Sequence, residues 1–160
     1  MKQIVVGISD LKVSGNAGDI LITYALGSCV GVAVYDPVDR VGGLLHFMLP
    51  DSSIDETKAR RNPAMFADTG IPLLFKSCYK LGAVKKRMIV KIAGGASIMD
   101  DMNYLRIGQK NIIAARKIFW RNGIIIDGED LHGNYNRTVK LNISNGKFYV
   151  KNFANLFEEL

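Results

Sequence analysis

The stretch LGSCVGVAVYDPVDRVGGLLHFMLP, residues 26–50, decides the fold expected for this chain. Two apolar runs flank the turn sequence DPVD at residues 36–39, a pattern typical of a β-hairpin with buried strands. If these four residues form the loop, Cys29 lies directly opposite His46. Both side chains then share one face of the sheet, with Cβ atoms roughly 4.5–5.5 Å apart. A shift of one residue would move them to opposite faces.

A thiol beside an imidazole is the minimum for nucleophilic catalysis. The thiolate is the reactive form, and a neighbouring histidine lowers the thiol pKa. Gly27 and Ser28 leave little side-chain bulk beside the Cys29 sulfur, and backbone N–H groups here can point at a developing oxyanion. The alternative is a buried structural cysteine next to a hydrogen-bonded core histidine, because free cysteines are often buried. Cys29 and His46 alone leave these two interpretations open.

Length and composition indicate one soluble globular domain spanning residues 1–160. Hydrophobic residues make up 48% of the chain and charged residues 22%, ordinary values for such a domain. No apolar run is long enough to span a bilayer, and the N-terminus is typical of a first strand, so we expect a cytoplasmic protein. Two cysteines and two histidines without CxxC or HxxxH spacing predict no metal site. The Gly94-Gly95 pair lacks a phosphate-binding pattern, so no cofactor is expected.

The net charge of +6 and the pI near 9.4 favour acidic partners. The densest basic stretch runs from Lys76 to Lys91 and forms either a solvated face or a docking patch. Few aromatic residues interrupt it, and the chain carries none of the standard nucleic-acid-binding motifs. Nucleic acid is therefore not expected as a partner.

Two long helices are predicted from hydrophobic periodicity. The first runs from an N-cap at Asp68 to about Leu81, with Pro72 in its first turn and Cys78 on its buried face. The second spans about Ile107 to Arg121, with a C-terminal cap at Gly123 and an inner stripe of Ile112, Ala115 and Phe119.

Strands are predicted for residues 1–8, 87–92 and 124–126. A terminal hairpin joins residues 137–143 to residues 147–150 through an Asn-Gly turn. The polar segment 51–62 is expected as a surface loop that could border the site, and the C-terminal tail as a short docked helix or a frayed end. This order indicates an α+β fold, a layered sandwich of mixed or antiparallel β-sheets covered by two main helices.

Three segments together resemble the chemoreceptor glutamine deamidases called CheD: residues 26–30 (LGSCV), 46–50 (HFMLP) and 91–96 (KIAGGA). The resemblance extends over nearly the whole chain. It implies packed β-sheets with outer helices, similar to the catalytic domain of the cytotoxic necrotising factor toxins. It also implies a Cys-His-Thr site in which Cys29 is the nucleophile and His46 the base. Thr23, six residues before the cysteine, is the third member.

The resemblance further implies an activity and partners. The activity is hydrolysis of glutamine side chains in methyl-accepting chemotaxis receptors to glutamate, with release of ammonia and without a cofactor. The partners are the receptors' cytoplasmic helices and the CheC phosphatase, with no membrane insertion. One alternative is a non-enzymatic adaptor that binds receptors or CheC. Another is an unrelated cysteine hydrolase.

One position departs from the family pattern. Its members usually carry a Gly-Gly pair after an aspartate near the last hairpin, and here His132 stands at the first glycine, after Asp130-Leu131. If that position needs a positive φ angle, histidine is strained there, although His tolerates this region better than most residues. The simpler interpretation is an exposed loop histidine. Arg137, just beyond, is expected to fix the loop through an ion pair or hydrogen bonds.

Overall fold

The computed structural model describes residues 1–98 and 105–160, which form ten strands and three α-helices. The strands are β1 (Lys2–Val5), β2 (Asp10–Ser14), β3 (Asp19–Leu26), β4 (Val30–Asp36), β5 (Val41–Phe47), β6 (Ile89–Gly94), β7 (Gly128–Leu131), β8 (Arg137–Asn142), β9 (Phe148–Lys151) and β10 (Phe157–Glu159). The helices are α1 (Glu56–Arg61), α2 (Ala67–Lys80) and α3 (Ile107–Arg121).

The strands form two five-stranded sheets. The outer sheet has the order β1-β3-β8-β9-β10 and the central sheet the order β2-β5-β4-β6-β7. Each sheet is mixed, because β1 pairs parallel to β3 and β6 parallel to β7 while the other pairs are antiparallel. In β8 burial alternates along the strand, whereas β4 and β5 are buried throughout. The central sheet is thus covered on both faces.

Two hydrophobic clusters fill the spaces between the layers. The cluster between the sheets includes Leu21, Ala33, Leu44, Val139 and Leu141. The cluster between the central sheet and the helices includes Val32, Leu45, Leu74, Ile112 and Phe119. The layers are therefore outer sheet, central sheet and helices α2 and α3, which confirms the predicted α+β layered sandwich.

The hairpin of residues 30–47 exists, but its predicted register is wrong by two residues. His46 lies opposite Gly31, and Asp36 opposite Val41, so the loop is residues 37–40. The Asp36 carboxylate accepts hydrogen bonds from the Val38 N–H and from the Arg87 guanidinium, which makes Asp36 the last residue of β4. Cys29 therefore lies just before the strand and not opposite His46. A shift of two residues preserves the face, and Cys29 packs on the inter-sheet side with His46.

α3 has its predicted bounds, whereas α2 begins two residues earlier and ends one residue earlier than predicted. α3 ends as expected, with Gly123 at a φ of +65°. The N-cap of α2 is Phe66, and Asp68 instead accepts hydrogen bonds from the backbone N–H and hydroxyl of Ser52. Pro72 is the sixth helical residue, beyond the first turn, so both details of that prediction are wrong.

Three further segments differ from expectation. The strand predicted at 124–126 begins only at Gly128, because Asp127 is the first residue that hydrogen-bonds to the edge of β6, at Val90. The C-terminal tail forms β10 against β9 instead of a helix or a frayed end. Segment 51–62 contains α1, capped by the Asp55 carboxylate. Within the described ranges, no helix is both long and apolar enough to cross a membrane.

Candidate active site

β3 is irregular just before the chain crosses from one sheet to the other. Thr23 pairs with Val139 and Leu26 with Arg137, so the register shifts between them, and Ala25 has a φ of +57°. Such bulges bend a strand and redirect its side chains. The chain then leaves the outer sheet and enters the central sheet at the start of β4. Residues 27–29, here called the crossing loop, form this connection at one end of the sandwich.

Thr23 and His46 meet between the two sheets, and both are fully buried. The Thr23 hydroxyl oxygen lies 2.7 Å from His46 Nδ1 and 2.7 Å from the carbonyl oxygen of Val6. A threonine hydroxyl has one proton, which it donates to the carbonyl, so it accepts a hydrogen bond from Nδ1–H of the neutral imidazole. That tautomer leaves Nε2 with a free lone pair. Among the described residues, His46 Nε2 has no hydrogen-bond partner.

Burial keeps both the thiol and the imidazole neutral in the resting protein. Loss of solvation raises the pKa of Cys29 to about 11, against the opposing effect of its own backbone N–H. Loss of solvation lowers the pKa of His46 to about 4. In the resting protein burial therefore sets the direction of both pKa shifts. The site holds a neutral thiol and a neutral base with a free lone pair.

Every carbonyl oxygen of the crossing loop accepts a hydrogen bond from the protein. Gly27 O accepts from Ala96 N–H at 2.9 Å, and Cys29 O accepts from Gly95 N–H at 2.9 Å. Ser28 O accepts from the side-chain amide of Asn111 at 2.9 Å. Among the described residues, the N–H groups of Ser28 and Cys29 have no backbone acceptor, and the Cys29 N–H faces its own sulfur. The crossing loop is therefore anchored through its carbonyl groups and not through the N–H groups of Ser28 and Cys29.

Gly94 allows this close approach of β6 to the crossing loop. Its φ is +117°, and an added Cβ would overlap the carbonyl oxygen of Cys29. The Gly94-Gly95 turn thus brings the backbone of β6 close to Cys29. Gly27 has a similar role, because a Cβ there would lie 3.0 Å from the side-chain oxygen of Asn136.

Asn111 on α3 was not predicted and connects the two halves of the site. Its Nδ2 donates to Ser28 O at 2.9 Å and to Met48 O at 3.0 Å. Ser28 precedes the thiol, and Met48 follows His46 by two residues. The Asn111 side chain is fully buried, and its Oδ1 has no partner among the described residues. Its place beside Ile112 on the inner face of α3 is the signal that sequence reasoning could have used.

Comparison with known proteins decides the family of this chain. Residues 48–152 match the family model CheD, described as CheD chemotactic sensory transduction. The chain is 64% identical to the "Probable chemoreceptor glutamine deamidase CheD 1" of Syntrophus aciditrophicus over the full length of both chains. The chain belongs to the CheD family. It is also 48% identical to the "Probable chemoreceptor glutamine deamidase CheD" of Solibacter usitatus, over 94% of this chain and 89% of that protein. The relative of that name in Pyrococcus horikoshii is 44% identical, over 94% and 93%.

The position that departs from the CheD pattern lies beside the crossing loop. His132 is exposed in a loop, as predicted, and its φ of +69° meets the condition under which a histidine is strained there. Its N–H donates to Gly94 O at 3.1 Å. Arg137 is buried and donates to His132 O at 2.9 Å and to the Asp130 carboxylate at 3.1 Å. The prediction that Arg137 fixes this loop is confirmed.

Cys78 is a core residue and lies outside the candidate site of this CheD chain. It is fully buried in the helix–sheet cluster, as predicted, and burial raises its pKa to about 12. Neither cysteine forms a disulfide. Within residues 1–98 and 105–160, no group of three or more His, Cys, Asp or Glu side chains is placed to hold a metal ion.

Proposed function

We propose that this CheD-family chain hydrolyses glutamine side-chain amides in methyl-accepting chemotaxis receptors, leaving glutamate and releasing ammonia. One observation carries the proposal: the hydrogen bond from His46 Nδ1–H to Thr23 leaves Nε2 free as a base, at the end of the sandwich where Cys29 lies. The printed names of the relatives, chemoreceptor glutamine deamidases, support the choice of substrate. We also propose that the protein acts in the cytoplasm.

The first half of the reaction forms a thioester. The Cys29 sulfur attacks the amide carbon, and His46 Nε2 takes the thiol proton as the new C–S bond forms. Thr23 holds the ring in the tautomer that can accept this proton, and its oxygen faces the positive charge that develops on the imidazole. The backbone N–H groups of Ser28 and Cys29 are the proposed donors to the oxyanion. The imidazolium then protonates the amide nitrogen, the C–N bond breaks, and ammonia leaves.

The second half restores the enzyme. A water molecule gives a proton to His46 Nε2 and attacks the thioester carbon, and the C–S bond breaks as the imidazolium returns the proton to sulfur. The products are the glutamate side chain and the neutral Cys29 thiol. Because both resting groups are neutral, no charge has to be stored in the buried site between turnovers.

The second candidate is a non-enzymatic adaptor that binds receptors or the CheC phosphatase while the Cys-His pair is idle. One observation favours it: a thiol with a pKa of about 11 is a poor nucleophile at neutral pH unless a base takes its proton. CheC binding itself is implied by the family resemblance and is part of both candidates. The two candidates differ in whether His46 assists Cys29.

The deciding experiment is mass spectrometry of a receptor cytoplasmic fragment after incubation with the protein. We expect a site-specific change of Gln to Glu with the wild type and none with Cys29→Ala. Cys78→Ala is the matched control and should retain turnover, since Cys78 belongs to the core. Turnover by Cys29→Ala would contradict the mechanism. If no protein modifies the fragment, and iodoacetamide labels Cys29 equally fast in the wild type and in His46→Gln, the adaptor is correct.

A further inference from the structure

The positive charge of this chain is concentrated in its helical layer. Residues 69–98 and 105–126 contain eleven of the 21 Lys and Arg residues and none of the 15 Asp and Glu residues. These ranges include most of α2, all of α3 and strand β6 between them. Since the whole chain has a net charge of +6, the remainder is net acidic. Arg87 is paired with Asp36 and Asp39, and Arg116 with Glu129. The other cations leave these segments with an excess of positive charge, which favours acidic partners.

Within this layer, the exposed side of α3 combines charge with apolar surface. Lys110, Ile113, Lys117 and Trp120 follow one another at spacings of three and four residues, which places them along one side of the helix. We call these four residues the α3 stripe. All four are exposed, Trp120 at 81% and Ile113 at 54%. Neither lysine forms an ion pair within the described residues, although Lys117 lies near enough to Asp51 to interact with its carboxylate. Nearby Arg116 is paired with Glu129. Exposed large apolar side chains framed by charge are typical of binding surfaces.

The α3 stripe begins at the end of the helix that is held to the candidate active site. Asn111, the residue after Lys110, reaches from the opposite side of the helix to Ser28 O in the crossing loop. From that end α3 runs for 15 residues, which corresponds to roughly 22 Å at 1.5 Å per residue. A partner lying along the stripe would thus extend from the end of α3 that is held to the crossing loop.

We propose that the α3 stripe is the docking surface for the protein substrate and binds an acidic amphipathic helix. Carboxylates of that helix face Lys110 and Lys117, and its apolar side chains cover Ile113 and Trp120, so that a glutamine reaches Cys29. The inference rests on the proposed function. A helix is the occupant because alternating apolar and basic side chains along one straight line match an amphipathic helix with acidic flanks.

Trp120 is the only tryptophan in the chain, which makes it a direct reporter of docking. The probe is a receptor cytoplasmic helical fragment, added to the Cys29→Ala protein to prevent turnover, with binding followed by sedimentation. We expect the Trp120 emission to shift to shorter wavelength and acrylamide quenching to fall at least twofold. Binding that leaves emission and quenching unchanged would overturn the proposal, as would an absence of binding. A shift with anionic vesicles but not with the fragment would assign the stripe to a membrane surface instead.

Charge reversal tests the lysines of the stripe. The double variant Lys110→Glu/Lys117→Glu should lower kcat/KM on the fragment roughly tenfold or more, through KM, and weaken its dependence on salt. Labelling of Cys29 by iodoacetamide should not change, because the reagent needs no docking. The matched control is Lys2→Glu, an exposed lysine on the outer sheet, which should retain wild-type kcat/KM. Equal losses of kcat/KM in both variants, or no loss in either, would refute the α3 stripe as the docking surface.

These experiments separate failure of the docking surface from failure of the proposed function. If the wild type does not deamidate the fragment but docking still covers Trp120, the deamidase proposal fails and the stripe remains a receptor-binding surface. If the wild type deamidates the fragment and docking leaves Trp120 uncovered, the function stands and the stripe is wrong.

Discussion

The two ends of the central sheet differ in how completely their buried polar groups are hydrogen-bonded. At the hairpin-turn end, fully buried Asp36 accepts hydrogen bonds from three backbone N–H groups and from Arg87. At the site end, three buried side-chain atoms have no partner among the described residues: His46 Nε2, Asn111 Oδ1 and Arg137 Nε. Buried polar atoms are nearly always paired, and each exception calls for an explanation. Complete pairing at one end stabilises the fold, whereas the unpaired atoms at the other end lie at the proposed active site.

The largest effect is expected from removal of the unpaired base. His46→Gln keeps a side-chain N–H donor but has no basic nitrogen that can take the Cys29 proton. General base catalysis contributes about 10²–10⁴-fold, so we expect kcat/KM to fall by roughly 10³-fold. Deamidation of a receptor fragment, measured beside an unfolding curve, checks this result. A variant that retains more than a tenth of wild-type activity would show that Nε2 is not the base.

At Asp36 we expect the opposite result, a loss of stability without a loss of activity. Burial alone would raise the pKa of this carboxyl, but the hydrogen bonds from Arg87 and the backbone lower it to about 2. Asp36→Ala leaves buried donors without an acceptor and should lower the free energy of unfolding by about 3 kcal/mol. Guanidinium unfolding measures this, and kcat/KM of the folded fraction should not change. A loss of activity without a loss of stability would remove the distinction between the two ends.

The pH dependence of stability tests the burial of His46. Its pKa lies at about 4 in the folded protein, against an ordinary value of 6.5. Between these values the unfolded chain binds the proton first. The free energy of unfolding should therefore fall as the pH drops from 6.5 towards 4, by up to about 1.4 kcal/mol per pH unit. Above pH 6.5 this group contributes no slope.

The measurement compares unfolding of the wild type and of His46→Gln between pH 4.5 and 7.5, since the variant lacks this contribution. Asp36 does not interfere, because its pKa of about 2 places its effect at lower pH. Parallel curves for the two proteins would contradict a buried neutral imidazole.

A smaller effect is expected at Asn111. Asn111→Leu preserves shape but removes the two hydrogen bonds that connect Ser28 O with Met48 O. Each hydrogen bond contributes about 1 kcal/mol to holding the crossing loop beside the strand of His46. Without them we expect kcat/KM to fall roughly tenfold. The rate of iodoacetamide labelling at Cys29 should fall in parallel, with partial recovery in Asn111→Gln. A stability loss without a change in labelling rate would make Asn111 purely structural.

Local sequence patterns predicted the elements better than their register. α3 lies where its apolar period and Gly123 place it, because these signals act within a few residues. The hairpin register was missed by two residues, because Asp36 ends β4 through a bond to Arg87, 51 positions away. No local pattern contains that contact.

The candidate site shows the same limit. Cys29 and His46 were predicted from residue type and spacing, but the pKa of each depends on burial between two sheets that spacing does not describe. Thr23 looks like an ordinary strand residue, and only the family resemblance pointed to it. Its bond to His46 joins the outer and central sheets. Asn111 carried a signal, a polar residue on a buried helical face, but its acceptors lie on two other segments.

The smallest expected effect is at His132, and it concerns the loop against Gly94 at the site end. The backbone of His132 makes hydrogen bonds there, while its side chain is exposed in a left-handed conformation. His132→Gly keeps the backbone bonds and removes about 1 kcal/mol of backbone strain, so the protein should become slightly more stable. If the exposed ring also narrows access to Cys29, KM for the receptor fragment falls in His132→Gly while kcat is unchanged.

The control is Gly133→Ala in the same loop. This variant should be less stable than the wild type, because Gly133 has a φ of +78° and a Cβ there would meet the Tyr135 ring. A His132→Gly variant less stable than the wild type would mean that the imidazole itself holds this loop.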